Sequence, residues 1–154
     1  MCKVSDFYRY MDEIAPFSAQ EAWDNSGFLV GDWDADVTKV LVALDATEDV
    51  LKEAAERGAE LVITHHPVIF TPLKSLHPSS MAYFAAQKGI AVLCSHTSLD
   101  VADGGVNDCL AAALGLQNVR KCGDEGLLRV GELPEQMKLP EFIPYVAEKL
   151  GSGG

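Results

Sequence analysis

The sequence predicts an α/β fold: a mostly parallel sheet with helices on its faces. Strand-like and helix-like segments alternate from Lys39 to Leu114. The strand-like segments are short, continuous apolar runs, as expected of strands covered on both sides, and capping or turn residues punctuate each junction. A sheet of this kind grows by right-handed crossovers, and ligands collect beyond the carboxyl ends of its strands. The 154 residues fit one α/β domain, expected over residues 1–150, with a flexible Gly/Ser tail over 151–154.

Taken in order, Val4, Phe7, Tyr8, Met11 and Ile14 recur at helical spacing, with Ser5 as the expected cap and Pro16 beyond the end. A polar loop follows and closes on Trp23-Asp24-Asn25-Ser26-Gly27, where Trp23 is expected to pack and its neighbours to turn the chain. Phe28-Leu29-Val30 is a short apolar stretch ended by Gly31. Lys39–Leu44 reads as the first strand of the regular pattern. Thr47 is a good N-cap for a helix reaching Arg57, with Glu48 and Asp49 placed well against its dipole and Gly58 ending it. Leu61-Val62-Ile63 is the second strand, and a loop with Pro67, Pro72 and Pro78 leads to a helix capped by Ser79 or Ser80. Ile90–Cys94 is the third strand, and Val106–Leu114 a helix stopped by Gly115. Further on, Leu127–Leu133 reads as a strand, and Leu139–Leu150 as a helix that Pro144 should break or start.

Composition narrows the function. With 12 Lys+Arg against 23 Asp+Glu the formal net charge is -11, which opposes binding to nucleic acid or to an anionic membrane surface and favours cations. Cys2, Cys94, Cys109 and Cys122 form no C-x-x-C pair, so zinc-ribbon and thioredoxin chemistry find no support. Cys94 and Cys109, each beside apolar residues, are expected to be small buried hydrophobes. No apolar run approaches a membrane span, and the first residues lack a signal-peptide core, so the cytoplasm is the expected compartment.

The strand ends carry the chemistry. Asp45 follows the first strand, Thr64-His65-His66 the second, and Ser95-His96 through Asp100 the third. Successive side chains of a strand point to opposite faces, but at a strand end followed by Pro67 both imidazoles can aim at one crevice. Imidazole suits zinc, iron, nickel and copper, and a carboxylate such as Asp100 can bridge two ions. A histidine at a strand end is by itself often structural, an Asp after a strand often caps a turn, and His77 beside Pro78 is expected at the surface. Gly104-Gly105 before a helix offers backbone N–H groups to an anion, although such a pair is commonly just a turn.

Five segments carry a resemblance. Trp23-Asp24-Asn25-Ser26-Gly27-Phe28-Leu29-Val30-Gly31, Ala43-Leu44-Asp45-Ala46-Thr47, Thr64-His65-His66-Pro67-Val68-Ile69-Phe70, His96-Thr97-Ser98-Leu99-Asp100 and Gly104-Gly105-Val106-Asn107-Asp108 resemble, in order and spacing, the GTP cyclohydrolase I type 2 homologues, hexameric proteins with a dinuclear metal centre. The resemblance implies that His65, His66 and Asp100 are metal ligands, with the aspartate shared by two ions of zinc, iron or manganese per subunit. It implies a toroidal homohexamer and hydrolytic opening of a purine nucleotide such as GTP. His96 and Asp45 are then the candidate catalytic groups, as proton shuttles at the metal site. Family members are longer and supply a further His and Glu in a His-x-x-x-Glu arrangement, whereas His96 is the last histidine here. Three side chains do not saturate two ions. A metal-binding oligomeric scaffold without turnover, or a truncated chain with an incomplete site, are therefore the competing readings.

Overall fold

The structure is a computed structural model that describes residues 1–123 and 126–152. It divides into two compact units, Met1–Leu99 and Asp100–Gly154.

The first unit contains β1 (Cys2–Lys3), α1 (Val4–Ile14), a 3-10 turn at Phe17–Ala19, β2 (Gly27–Val30), β3 (Asp36–Val37), β4 (Val40–Ala43), α2 (Glu48–Arg57), β5 (Leu61–Thr64), α3 (Met81–Lys88) and β6 (Ala91–Cys94). Its central sheet has the order β2-β6-β5-β4. Strands β4, β5 and β6 run parallel, with Val40 opposite Leu61 and Leu61 opposite Ala91. The mostly parallel sheet is thus as the sequence predicts. The stretch around Phe28 adds an antiparallel edge, β2 against β6, and β1 pairs with β3 in a separate two-stranded ribbon.

Alternation along the strands sorts the core into two layers. Val62 and Val92 pack with Leu51 and Ala54 of α2 and with Ala82 and Ala85 of α3. Leu61 and Leu93, together with Ile63, face the opposite way and pack with Val4, Phe7, Tyr8 and Met11 of α1. Both faces of β5 and β6 are covered, which is why those strands read as unbroken apolar runs rather than as alternating ones, whereas the edge strand β4 leaves Val42 exposed.

Local chemistry sets the ends. The Thr47 hydroxyl accepts from the Val50 N–H at 3.3 Å, and Gly58 ends α2 in the left-handed region at φ 66. Ser80 is the cap of α3, accepting from the Tyr83 N–H. The first helix corrects the expectation for Ser5: Lys3 is its N-cap, Ser5 lies buried inside the helix, and Asp6 accepts from the Lys3 N–H at 2.8 Å. Pairing of β1 with β3 holds the chain extended up to Lys3, so the helix begins at once after it. Gly31, at φ 113, is demanded by a close approach, because a Cβ there would stand 2.6 Å from Ala91 Cα.

α4 (Thr97–Val101) spans the boundary between the units. The second unit continues with α5 (Val106–Ala113), β7 (Gln117–Cys122), β8 (Leu128–Glu132) and α6 (Leu139–Lys149). β7 and β8 form an antiparallel hairpin whose first strand the sequence does not announce: QNVRKC is polar and largely exposed. Arg129, with only 4% of its side chain exposed, ties the unit together by donating to Asp108, to Gly126 O and to the carbonyls of Val101 and Ala102. Pro144 neither starts nor breaks α6, which runs through it. Of the expected flexible tail, Gly151 lies in a turn and residues 153 and 154 fall outside the described residues. Cys94 is buried as expected, but Cys109 is exposed, because it lies on the outer side of α5. No helix among the described residues is long and apolar enough to cross a membrane.

Candidate metal centre

The strand ends meet where the parallel sheet rule places them. β5 ends at Thr64, whose hydroxyl donates to His66 O at 2.7 Å and folds the chain back on itself. His66 N donates to Leu44 O at 2.9 Å, which fastens this turn to the residues after β4. The extended alternation is thereby broken, and His65 and His66 lie on one side, with ring centroids 5.1 Å apart. β6 delivers His96, whose backbone N–H donates to Ser26 Oγ at 3.0 Å. Its ring centroid is 5.2 Å from that of His65 and 5.5 Å from that of His66.

Among the described residues, His65, His66 and His96 form a group able to hold a metal ion, with donor atoms all within 4.8 Å of one another. Each imidazole is anchored through Nδ1. That of His65 stands 3.0 Å from the Ser95 carbonyl, that of His66 2.7 Å from Asp45 Oδ1, and that of His96 2.8 Å from Asp24 Oδ1. A carbonyl oxygen can only accept, and so can an ionised carboxylate. An Nδ1 that donates to such an oxygen is the arrangement of a metal-ligating histidine with an oriented outer partner.

The two carboxylates differ in setting. Asp45 and His66 are about half exposed, at 48% and 45%. Asp24 has no exposed side-chain area, and His96 only 17%. Burial pushes the Asp24 carboxyl up, but hydrogen bonds from the Thr97 hydroxyl, from His96 and from the Asn25 and Thr97 backbone N–H groups outweigh it and hold the pKa at about 2. Cys94, by contrast, is pushed up to about 12 by burial and by the nearby Asp24 charge, so it remains a thiol and donates to His65 O rather than serving as a ligand.

The structure thus brings together His65, His66, His96 and Asp45. Asp45 orients an imidazole instead of capping α2, a task that Thr47 performs. Asp100 is half-buried on α4 and is the first residue of the second unit. His77 is at the surface as expected, beside Ser75. Asp24 is the residue that sequence reasoning missed. It sits among turn-forming neighbours, and only its contact with a histidine far along the chain reveals its part. Trp23, expected to pack, is 59% exposed, beside the half-exposed Phe70 and the edge of His96. The Gly104 N–H, a candidate anion donor, is taken by Asp108 Oδ2 at 2.7 Å.

A cavity of about 320 Å³ opens beside His66, lined by Asp45, Thr47, His66, Pro67 and Met81 among others. A larger hollow of about 580 Å³ lies beside β4 and α2, along Val42, Glu53 and Arg57. It holds no histidine, so the smaller cavity, with His66 and Asp45, is the one with the means for chemistry.

The chain is similar to known proteins in sequence and in fold. Residues 2–154 match the family model described as Duf34/NIF3 (NGG1p interacting factor 3). A Clostridium perfringens protein named GTP cyclohydrolase 1 type 2 homolog is 35% identical over 159 residues, covering 97% of this chain and 61% of that protein. A Staphylococcus aureus protein of the same name is 43% identical over 120 residues, which is 76% of this chain and 33% of that one. The chain therefore spans less than two thirds of the length of these relatives, 61% of one and 33% of the other. Among solved structures, a Staphylococcus aureus hypothetical protein superposes with a TM-score of 0.89 at 31% identity, covering 99% of this chain and 65% of its own. Reduced HcgD from Methanocaldococcus jannaschii superposes with a TM-score of 0.84 at 29% identity, covering 96% of this chain and 60% of its own.

Proposed function

The chain belongs to the Duf34/NIF3 family, and from that premise we propose that it holds a divalent metal ion on His65, His66 and His96 and acts as a metal-dependent hydrolase on a nucleotide-like substrate. The observation that carries the proposal is the convergence of the imidazoles, with donor atoms all within 4.8 Å of one another and each Nδ1 on an oxygen. The donor set fits. Neutral nitrogen ligands suit zinc or iron(II), and three protein ligands that leave a position open are the pattern of a catalytic site. A divalent ion bound there supplies Lewis acidity and brings the pKa of a water towards about 7.

The chain's own groups do the rest. Asp45 Oδ1 holds His66, and the same carboxylate lines the cavity, so Oδ2 is the atom at which a proton is accepted during hydrolysis. His96, a candidate proton shuttle on sequence grounds, is better used as a ligand, because its Nδ1 is already committed to the buried Asp24. The nucleotide substrate rests on the names of the relatives, and a homohexamer in the cytoplasm on the family resemblance.

The test is metal content and turnover together. Protein loaded with zinc, iron(II) or manganese and dialysed should retain the ion and release product from GTP, and the His65→Ala, His66→Ala double variant should lose both. Retained metal with no turnover of GTP or other nucleotides would favour the scaffold reading. Hydrolysis unchanged in the double variant would overturn the assignment.

A further inference from the structure

The carboxylate of Asp24 is bound more thoroughly than folding of its own turn requires. Oδ1 accepts from the Asn25 N–H at 2.7 Å and from His96 Nδ1 at 2.8 Å. Oδ2 accepts from the Thr97 N–H at 3.0 Å, from Ser26 Oγ at 3.1 Å and from the Thr97 hydroxyl. Ser26 in turn accepts from the His96 N–H. The loop before β2 therefore grips the residue after β6 through its ring, its main chain and its successor. A buried carboxylate is costly unless its oxygens are all satisfied, and here one of its partners is an imidazole that faces two others.

The three anchors are unequal. A carbonyl holds His65 and a half-exposed carboxylate holds His66, whereas His96 is held by a carboxylate with no exposed area. Water competes with the Asp45 bond and does not reach Asp24. We propose that Asp24 is the positioning residue of the metal centre: it fixes the ring of His96 and its Nδ1–H tautomer, so that His96 presents Nε2 within the group it forms with His65 and His66. The inference rests on the metal-binding reading for its purpose, but the tautomer itself is a property of the metal-free protein.

Asp24→Asn separates positioning from folding. An amide in this place cannot offer acceptors to both His96 and Thr97. If it keeps its oxygen on Thr97, its NH₂ faces His96 Nδ1 and pushes the ring to the Nε2–H tautomer. Long-range ¹H–¹⁵N correlation spectra of the metal-free full chain at about pH 8 read this directly, and zinc competition against a chromophoric chelator reads affinity. In the wild type, His96 should be the Nδ1–H tautomer. In Asp24→Asn it should shift towards Nε2–H while His65 does not, and zinc affinity should fall by about 10–100-fold, the usual effect of losing an outer partner. Thr97→Val removes a hydroxyl from Asp24 without touching the imidazole, and should lower the melting temperature while leaving tautomer and zinc affinity in place.

An Nε2–H tautomer for His96 in the wild type would overturn the inference, and that measurement needs no variant to fold. So would an Asp24→Asn protein with an unchanged tautomer and zinc affinity within threefold of wild type. Wild-type protein that binds no zinc would instead sink the metal reading, with the tautomer left to decide the role of Asp24.

Discussion

Replacing Asp45 with Asn should damage the metal centre and spare the fold. Asp45 and His66 are joined at 2.7 Å, but each is about half exposed, so water screens the pair and either partner can be solvated once the other is changed. For such a pair the effect on folding is about 0–1 kcal/mol. The effect on metal is of another size. Loss of an oriented outer partner typically weakens metal binding by about 10–100-fold, which is roughly 1.4–2.8 kcal/mol. The difference arises because only the bound state needs the His66 ring at one angle with its lone pair on Nε2. Urea unfolding of the metal-free protein and chelator-competition titration with zinc give the two numbers side by side. A zinc affinity within threefold of wild type would refute the reasoning, and so would a loss of several kcal/mol in the metal-free fold, which would make Asp45 a structural residue after all.

Further expectations follow from the same geometry. Gly31→Ala should destabilise the chain by about 2–5 kcal/mol in urea, since a Cβ 2.6 Å from Ala91 Cα must move strand β2 or β6 and φ 113 strains any side chain. Glu60 accepts from the Lys39 and Thr38 N–H groups and the Thr38 hydroxyl, which hold its pKa at about 2 against an ordinary 4.5. Its folded pKa is depressed, so its contribution is present above about pH 4.5 and is lost as the pH falls towards 2; stability measured against pH should be flatter over that window in Glu60→Gln. Zinc at about a hundred times its dissociation constant should stabilise the wild type by about 2.7 kcal/mol, a rise of roughly 5–11 °C in Tm for a chain of this size, and the His65→Ala, His66→Ala variant should show no rise.

The order of elements in the first unit was legible because it depends on short-range chemistry. Thr47 and Ser80 cap, Gly58 ends a helix, and the apolar runs at Val40–Ala43, Leu61–Thr64 and Ala91–Cys94 pair as parallel strands, the last two buried on both faces and the first an edge strand that leaves Val42 exposed. Local signals failed where a distant partner overruled them. Ser5 is a good cap by type, but the pairing of β1 with β3 moves the helix start to Val4. The strand Gln117–Cys122 has no apolar alternation to betray it and exists because β8 pairs with it.

The candidate site divides in the same way. His65, His66, His96 and Asp45 could be named from the sequence alone, because a parallel sheet gathers whatever follows its strands at one rim. How each imidazole is held is decided only by the tertiary structure. The partner of an imidazole nitrogen fixes which nitrogen keeps its lone pair, and those partners, Ser95 O, Asp45 and Asp24, come from other strand ends and loops. Asp24 lies 72 residues from His96 along the chain, so no spacing rule links them. Residue type is written in the sequence, but the direction of a lone pair is a property of packing.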